Sequence, residues 1–166
     1  MFKLDYRIIN NEYDDFWGEN GFFQLTCNGF LYGEMYPSEL NDIMDQEALF
    51  DWFERLIRVI ENLNKKNYIV LSDVETYNTW LEFKREGEDL VISIVKAQKV
   101  IGSQDIEYHL ENIQPGEWIN QKVKFREFKE EILRKSKEYI EKVIYKNSEC
   151  KYFSELRERI DDLETV

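Results

Sequence analysis

The sequence predicts one α+β domain over residues 1–166, with an antiparallel meander sheet of about six to eight strands and helices on one face. Short segments alternate apolar and polar residues, and longer segments change to helical spacing. Their order along the chain is strands, helix, strands, helices. Hydrophobic residues make up 43% of the chain and aromatic residues 15%, which excludes a disordered protein.

The N-terminal region predicts the first three strands of this sheet. Phe2–Ile8 alternates apolar and charged residues, the pattern of a half-buried strand. Phe22–Cys27 and Phe30–Tyr36 follow, separated by Asn28 and Gly29. Both linking residues tolerate a positive φ, so they predict a tight hairpin turn.

A second group of strands follows the first helix. Its predicted members are Tyr68–Leu71, Trp80–Arg85 and Leu90–Lys96, with weaker signals at Ile106–Leu110 and Trp118–Lys124. Residues 86–89 provide the turn of one hairpin, and Pro115 with Gly116 predicts a turn between the two weaker strands.

Three segments have the spacing of amphipathic helices. Between residues 45 and 65 the apolar positions Leu49, Phe53, Leu56, Ile60 and Leu63 recur at intervals of three and four. The same spacing predicts helices at about 126–146 and 152–163. The last helix belongs to a short C-terminal segment, 148–166, expected to pack on the main domain.

The charge distribution favours a basic partner. The chain has 34 acidic and 22 basic residues, for a net charge of -12. Residues 1–64 contain thirteen acids and four bases, so most of the excess lies there. Such a field repels nucleic acid and anionic membranes and accelerates encounter with a cationic protein. The alternative is that the charge only maintains solubility.

Few residues suggest catalysis, and none forms a known motif. His109 is the one histidine, and Cys27 and Cys150 lie too far apart in sequence for a local metal motif. The seven glycines form no phosphate-binding loop. We therefore expect no enzyme activity, no cofactor and no metal. Two isolated cysteines and no signal-like or membrane-spanning apolar run favour a cytoplasmic protein.

Aromatic residues lie among carboxylates between residues 12 and 19, and a second acidic stretch precedes the first helix. This mixture suits recognition of a basic protein, because carboxylates accept hydrogen bonds from arginine and aromatic rings act as anchors. The candidate binding residues are Glu12, Asp14, Asp15, Trp17, Glu19, Glu39, Asp42 and Asp45. The alternative is that Phe16 and Trp17 pack into the core beneath a solvated loop.

Three parts of the chain suggest a family likeness: Phe22–Thr26, Trp80–Phe83 with Leu90–Ile94, and Phe125–Ile132. In these segments, and in its length, acidity and order of elements, the chain resembles the small acidic immunity proteins that bacteria encode beside polymorphic or contact-dependent toxins. The resemblance implies a cytoplasmic antitoxin that plugs the active site of a basic nuclease or masks its substrate surface. It assigns no individual site residue.

The favoured hypothesis is thus a non-catalytic inhibitor of a basic toxin, present as a monomer or a weak homodimer. A second hypothesis is a structural or regulatory domain that self-associates through a sheet edge or the C-terminal helix. A third is a small enzyme with a carboxylate-based site.

Overall fold

The computed structural model describes residues 1–9, 18–146 and 151–166. It confirms the α+β class, with antiparallel strands and helices packed against them, and divides the strands between a four-stranded and a six-stranded sheet. The strands are β1 (Phe2–Ile8), β2 (Asn20–Cys27), β3 (Phe30–Glu34), β4 (Glu47–Ala48), β5 (Tyr68–Ser72), β6 (Thr79–Glu86), β7 (Asp89–Lys96), β8 (Ile106–Glu107), β9 (Gln114–Pro115) and β10 (Gln121–Lys124). The helices are α1 (Leu49–Leu63), α2 (Phe125–Lys146) and α3 (Lys151–Thr165), with a short 3₁₀ helix at Ser38–Leu40.

The first sheet has the order β1-β2-β3, and β4 pairs with the start of β2. The β2–β3 hairpin turns at Asn28 and Gly29, whose φ angles are 51° and 90°. These positive angles are typical of a type I′ turn, as the sequence predicts. Because β3 is the last strand in this order, it lies at an edge of its sheet.

The second sheet has the order β10-β7-β6-β5-β8, with β9 paired to β7. β6 and β7 form its central hairpin, from Thr79 opposite Lys96 to Glu86 opposite Asp89. The two sheets meet where the β2–β3 turn approaches β10, because Asn28 Nδ2 donates to the Lys122 carbonyl at 3.1 Å.

One hydrophobic core joins both sheets to the helices. α1 packs against β2 and β5, and α2 packs against β1, β7 and β10. α3 covers the helices with one apolar stripe, which consists of Phe153, Leu156, Ile160 and Leu163. Its polar side is held by Arg159, which binds Glu54 and Glu61 of α1 at 3.0 and 2.8 Å.

The predicted element bounds differ from the structure at several places. β3, predicted as Phe30–Tyr36, ends at Glu34. α1 begins at Leu49 because the preceding Glu47–Ala48 pairs with β2, and the Leu49 N–H donates to the Glu19 carbonyl. β8 ends at Glu107, before the predicted end at Leu110. Trp118 precedes β10, separated from it by Asn120 with a φ of 49°. No helix among the described residues is long and apolar enough to cross a bilayer.

Candidate functional site: an acidic cleft between the two sheets

A cleft of about 440 Å³ lies between the edge strand β3 and the second sheet. Tyr32 and Glu34 of β3 line one side. The opposite side includes Asp73, which follows β5, and Lys96 at the end of β7. Both sheets thus contribute to this cleft, and its position depends on how they pack together.

Asp73 is the most enclosed carboxylate of the cleft, with 8% of the residue exposed. One carboxylate oxygen accepts hydrogen bonds from the backbone N–H groups of Glu75 at 2.8 Å and Thr76 at 2.6 Å. The other oxygen accepts a short hydrogen bond from the Tyr32 hydroxyl. Burial, followed by the charge of Asp73 and this hydrogen bond, raises the pKa of Tyr32 above its ordinary value. Tyr32 is therefore a hydrogen-bond donor at physiological pH.

Glu47 places a second carboxylate in the cleft, just before α1. The indole Nε1 of Trp52 donates to Glu47 at 2.9 Å, and the Trp52 ring stacks on Phe23 with centroids 4.7 Å apart. Burial raises the pKa of Glu47, and the charges of Asp73 and Glu75 raise it further, although the Trp52 hydrogen bond opposes them. Negative charge is thus crowded at this end of the cleft.

The cleft contains more anionic than cationic groups. Glu34, Glu47, Asp73 and Glu117 line it, and Lys96 is the one basic residue among the lining residues. The Lys96 ammonium donates to the Thr79 hydroxyl at 2.7 Å. In the described part of the chain, none of the four carboxylates lies within the 4.0 Å ion-pair distance of a basic nitrogen. A cationic group from outside would therefore find acceptors that the protein does not neutralise.

Three predicted binding residues form what we call the acidic rim: Glu39, Asp42 and Asp45. They lie on the loop that leaves β3 at Glu34 and returns at Glu47, so both ends of this loop are cleft residues. All three are exposed, and no described basic residue forms an ion pair with them.

Arg7 anchors the loop that bears the rim. Its guanidinium donates to the Asn41 side chain at 2.8 Å and to the Tyr36 carbonyl, and it lies 4.9 Å from the centroid of the Phe22 ring. One hydrogen bond to the backbone and one to a side chain thus hold this loop to Arg7, which the cation–π contact keeps against the first sheet. The rim carboxylates remain free of this anchor.

The structure describes half of the predicted binding residues. Glu12, Asp14, Asp15 and Trp17 lie outside the described residues, as does Phe16. Glu19 is exposed, and its carbonyl accepts from the first N–H groups of α1, beside Ala48. It therefore lies at the same end of the first sheet as Glu47. The prediction that Glu39, Asp42 and Asp45 belong to a binding surface stays a prediction.

Sequence reasoning missed the cleft itself, above all Tyr32, Asp73 and Glu117. In the sequence, Tyr32 looks like an ordinary strand residue. Only its hydroxyl, which needs a hydrogen-bond partner when buried, indicates a polar neighbour. Asp73 directly follows a buried strand, a position at which an aspartate often caps a turn. Their proximity links residues 41 positions apart, which periodicity does not reveal.

The residue types most often used for metal binding and nucleophilic chemistry have the following positions in the structure. No group of three or more His, Cys, Asp or Glu among them is arranged to hold a metal ion. Cys27 is buried, and burial raises the pKa of its thiol to about 11, so it is protonated at neutral pH. His109 is exposed and follows β8. Cys150 lies outside the described residues.

Comparison with known proteins assigns no family or fold relative to this chain. No protein-family model matches the chain, and neither a curated protein nor a solved structure matches it.

Proposed function

We propose that this chain is a non-catalytic binding protein that captures a basic protein through its acidic cleft and acidic rim. In the cell it acts as an immunity protein, neutralising a cationic, nuclease-type toxin. The main support is the set of cleft and rim carboxylates that no described basic residue neutralises. Arginine and lysine are the natural ligands for such acceptors, because each contact is a charge-assisted hydrogen bond.

The two groups of carboxylates contribute to binding in different ways. The exposed Glu39, Asp42 and Asp45 produce a field that steers a cationic surface towards the cleft, which mainly affects the association rate. Asp73 and Glu47 are more enclosed, so a cation beside them is less screened by water. These inner groups mainly affect the dissociation rate of the complex.

The chain then inhibits the toxin by occupying the basic residues that the toxin uses to bind its substrate. A toxin that acts on nucleic acid needs exposed basic residues to hold phosphate groups. Carboxylates that engage the same residues compete directly with the substrate. The inhibitor therefore needs no catalytic group of its own.

The proposal is tested with a partner purified from the native host by affinity to the tagged chain. Stopped-flow association is compared for the wild type and for the rim variant Glu39→Lys, Asp42→Lys, Asp45→Lys. We expect association at least about tenfold slower at low ionic strength, with the difference shrinking at high salt. Expression of the partner's toxic domain in a sensitive cell should stop growth, and co-expression of the wild-type chain should restore it.

A matched control distinguishes the effect of where the acidic residues lie from the effect of the total net charge. The variant Glu158→Lys, Asp161→Lys, Asp162→Lys changes the total charge equally, and its three sites are exposed on α3. It should associate much faster than the rim variant. Equal slowing by both variants would mean that only net charge matters, and an acidic partner or a partner without toxicity would contradict the proposal.

A further inference from the structure

β3 (Phe30–Glu34) presents an open backbone edge beside the acidic cleft. It is the last strand in its sheet, and its opposite side pairs with β2. The Leu31 carbonyl accepts from Trp118 Nε1 at 3.1 Å and the Gly33 carbonyl from the Gln24 side-chain Nε2 at 3.2 Å, so each accepts from a side chain. Across the two-residue turn, Phe30, Tyr32 and Glu34 form the hydrogen-bonded pairs with β2, so the N–H groups of Leu31 and Gly33 point away from β2. These two groups have no acceptor among the described residues. These donors are available to another chain.

The two ends of this strand differ in chemistry. At the hairpin end, Phe30 is 50% and Leu31 56% exposed, so both present apolar surface to solvent. At the other end, Tyr32 and Glu34 line the acidic cleft. A chain segment lying along β3 therefore meets an apolar surface first and a group of carboxylates about two residues later.

We infer, on the premise of the proposed function, that the basic partner binds through an extended segment that pairs with β3. One apolar side chain of that segment packs on Phe30, the next contacts Leu31 on the other face, and a lysine or arginine two residues after the first enters the cleft. The backbone contact is strand addition, in which main-chain hydrogen bonds provide affinity and side-chain pockets provide specificity.

Charge determines which kind of segment fits this edge. In a symmetric pairing of two copies through β3, the acidic clefts of both copies would lie along the same shared edge. Like charges opposite one another destabilise strand pairing, and proteins use charged edge residues to prevent self-association. A cationic segment removes this repulsion and satisfies the carboxylates. The edge therefore selects a basic partner over a second copy of this chain.

The test begins with peptides selected from a random dodecapeptide display library against the full chain. We expect selected sequences to contain lysine or arginine two residues from an apolar residue. The tightest peptide is then made in three forms: unchanged, with its arginine or lysine replaced by an uncharged isostere, and N-methylated at the residue between its apolar and basic positions. In ¹⁵N NMR titrations the unchanged peptide should shift the Leu31 and Gly33 amide signals.

Two protein variants separate backbone pairing from side-chain contact. Leu31→Pro removes the open N–H, and Leu31→Thr keeps it while removing the apolar side chain. We expect Leu31→Pro to weaken binding of the unchanged peptide by about tenfold and Leu31→Thr by about threefold. If Leu31→Pro unfolds the chain, as judged by circular dichroism, the N-methylated peptide tests the same hydrogen bonds and should also bind about tenfold more weakly.

The outcomes distinguish this inference from the proposed function. Unchanged affinity of the N-methylated peptide would overturn strand pairing, and a large loss for the uncharged peptide alone would leave the proposed function standing. Unchanged affinity of the uncharged peptide would contradict the proposed function itself. Sedimentation showing a wild-type dimer that Leu31→Pro dissociates would assign β3 to a second copy and overturn the inference.

Discussion

Glu47 and Glu138 have opposite environments within one protein. Glu47 lines the acidic cleft, where burial and the charges of Asp73 and Glu75 raise its pKa. Glu138 lies on α2, where Lys142 donates to it at 2.6 Å and Lys135 lies 3.8 Å away. The hydrogen bond from Lys142 is the main cause of the lowered pKa of Glu138.

The difference extends to the surfaces around the two residues. On α2, Glu130 pairs with Arg126 and Glu131 with Arg134, each at 2.6 Å. The carboxylates of the cleft and the acidic rim have no such cation among the described residues. Charge on α2 is thus neutralised within the chain, where it supports the fold. The cleft carboxylates have no such cation in the described part of the chain, and under the proposed function the ligand provides it. The presence or absence of ion pairs therefore distinguishes the two surfaces better than the number of acidic residues does.

The largest effect is expected for Asp73→Ala, which tests whether the hydrogen bonds of this cleft residue stabilise the fold. Removing this carboxylate leaves the Tyr32 hydroxyl and the Glu75 and Thr76 N–H groups without their acceptor. The free energy of unfolding should fall by about 3 kcal/mol, as measured by urea denaturation. The control is Glu117→Ala, at an exposed cleft residue, which should change stability by less than about 0.5 kcal/mol. Equal effects would mean that Asp73 has no special structural part.

A smaller effect of opposite sign is expected for Glu47→Gln. The ordinary pKa of 4.5 is raised in the folded chain, so the protonated form of Glu47 is favoured there. Wild-type stability therefore falls as pH rises from about 4.5 through the raised pKa, whereas the amide does not ionise. At pH 7 the variant should be more stable by up to about 1 kcal/mol, since solvent screens part of the charge.

Thermal unfolding across pH 4 to 8 checks this prediction. The two melting curves should converge near pH 4, where Glu47 is protonated, and separate above it. A variant that is less stable than the wild type at pH 7 would show that the Trp52 hydrogen bond outweighs the repulsion around Glu47.

The smallest effect is expected for Glu138→Gln, and its sign is opposite to that of Glu47→Gln. Because the pKa of Glu138 is lowered, its ionised form stabilises the fold above the ordinary pKa of 4.5, and that contribution is lost as pH falls through the lowered value. The variant should lose about 0.5 kcal/mol at pH 7, a small value because these ion pairs are exposed. Chemical denaturation at pH 7 and pH 3 should show the loss only at pH 7, and added salt should reduce it.

Much of the fold was predictable because local patterns determine it. The alternation of Phe2–Ile8 and the Asn28-Gly29 turn predict elements that the structure contains, and three-and-four spacing predicts α1. The start of α1 was less predictable, because the pairing of Glu47–Ala48 with β2 determines it. The division into two sheets depends on distant contacts such as the bond from Trp118 to Leu31, 87 residues apart.

The candidate site was less predictable than the fold. Charge counting identified the exposed acids Glu39, Asp42 and Asp45, because a long acidic stretch is visible in the sequence. It did not separate Glu47 from Glu138, since the same side chain is crowded by anions in one place and paired with lysine in the other. That distinction depends on neighbours from other strands and helices.

The loop from Glu34 to Glu47 has a consequence for how binding preference can change. None of its side chains from Ser38 to Gln46 is buried in the core, and Arg7 holds the loop through the Tyr36 carbonyl and the Asn41 side chain. Insertions or substitutions there can change the electrostatic potential around the cleft without disturbing the core. Under the proposed function, divergent copies of this chain would acquire new protein partners by altering this one segment.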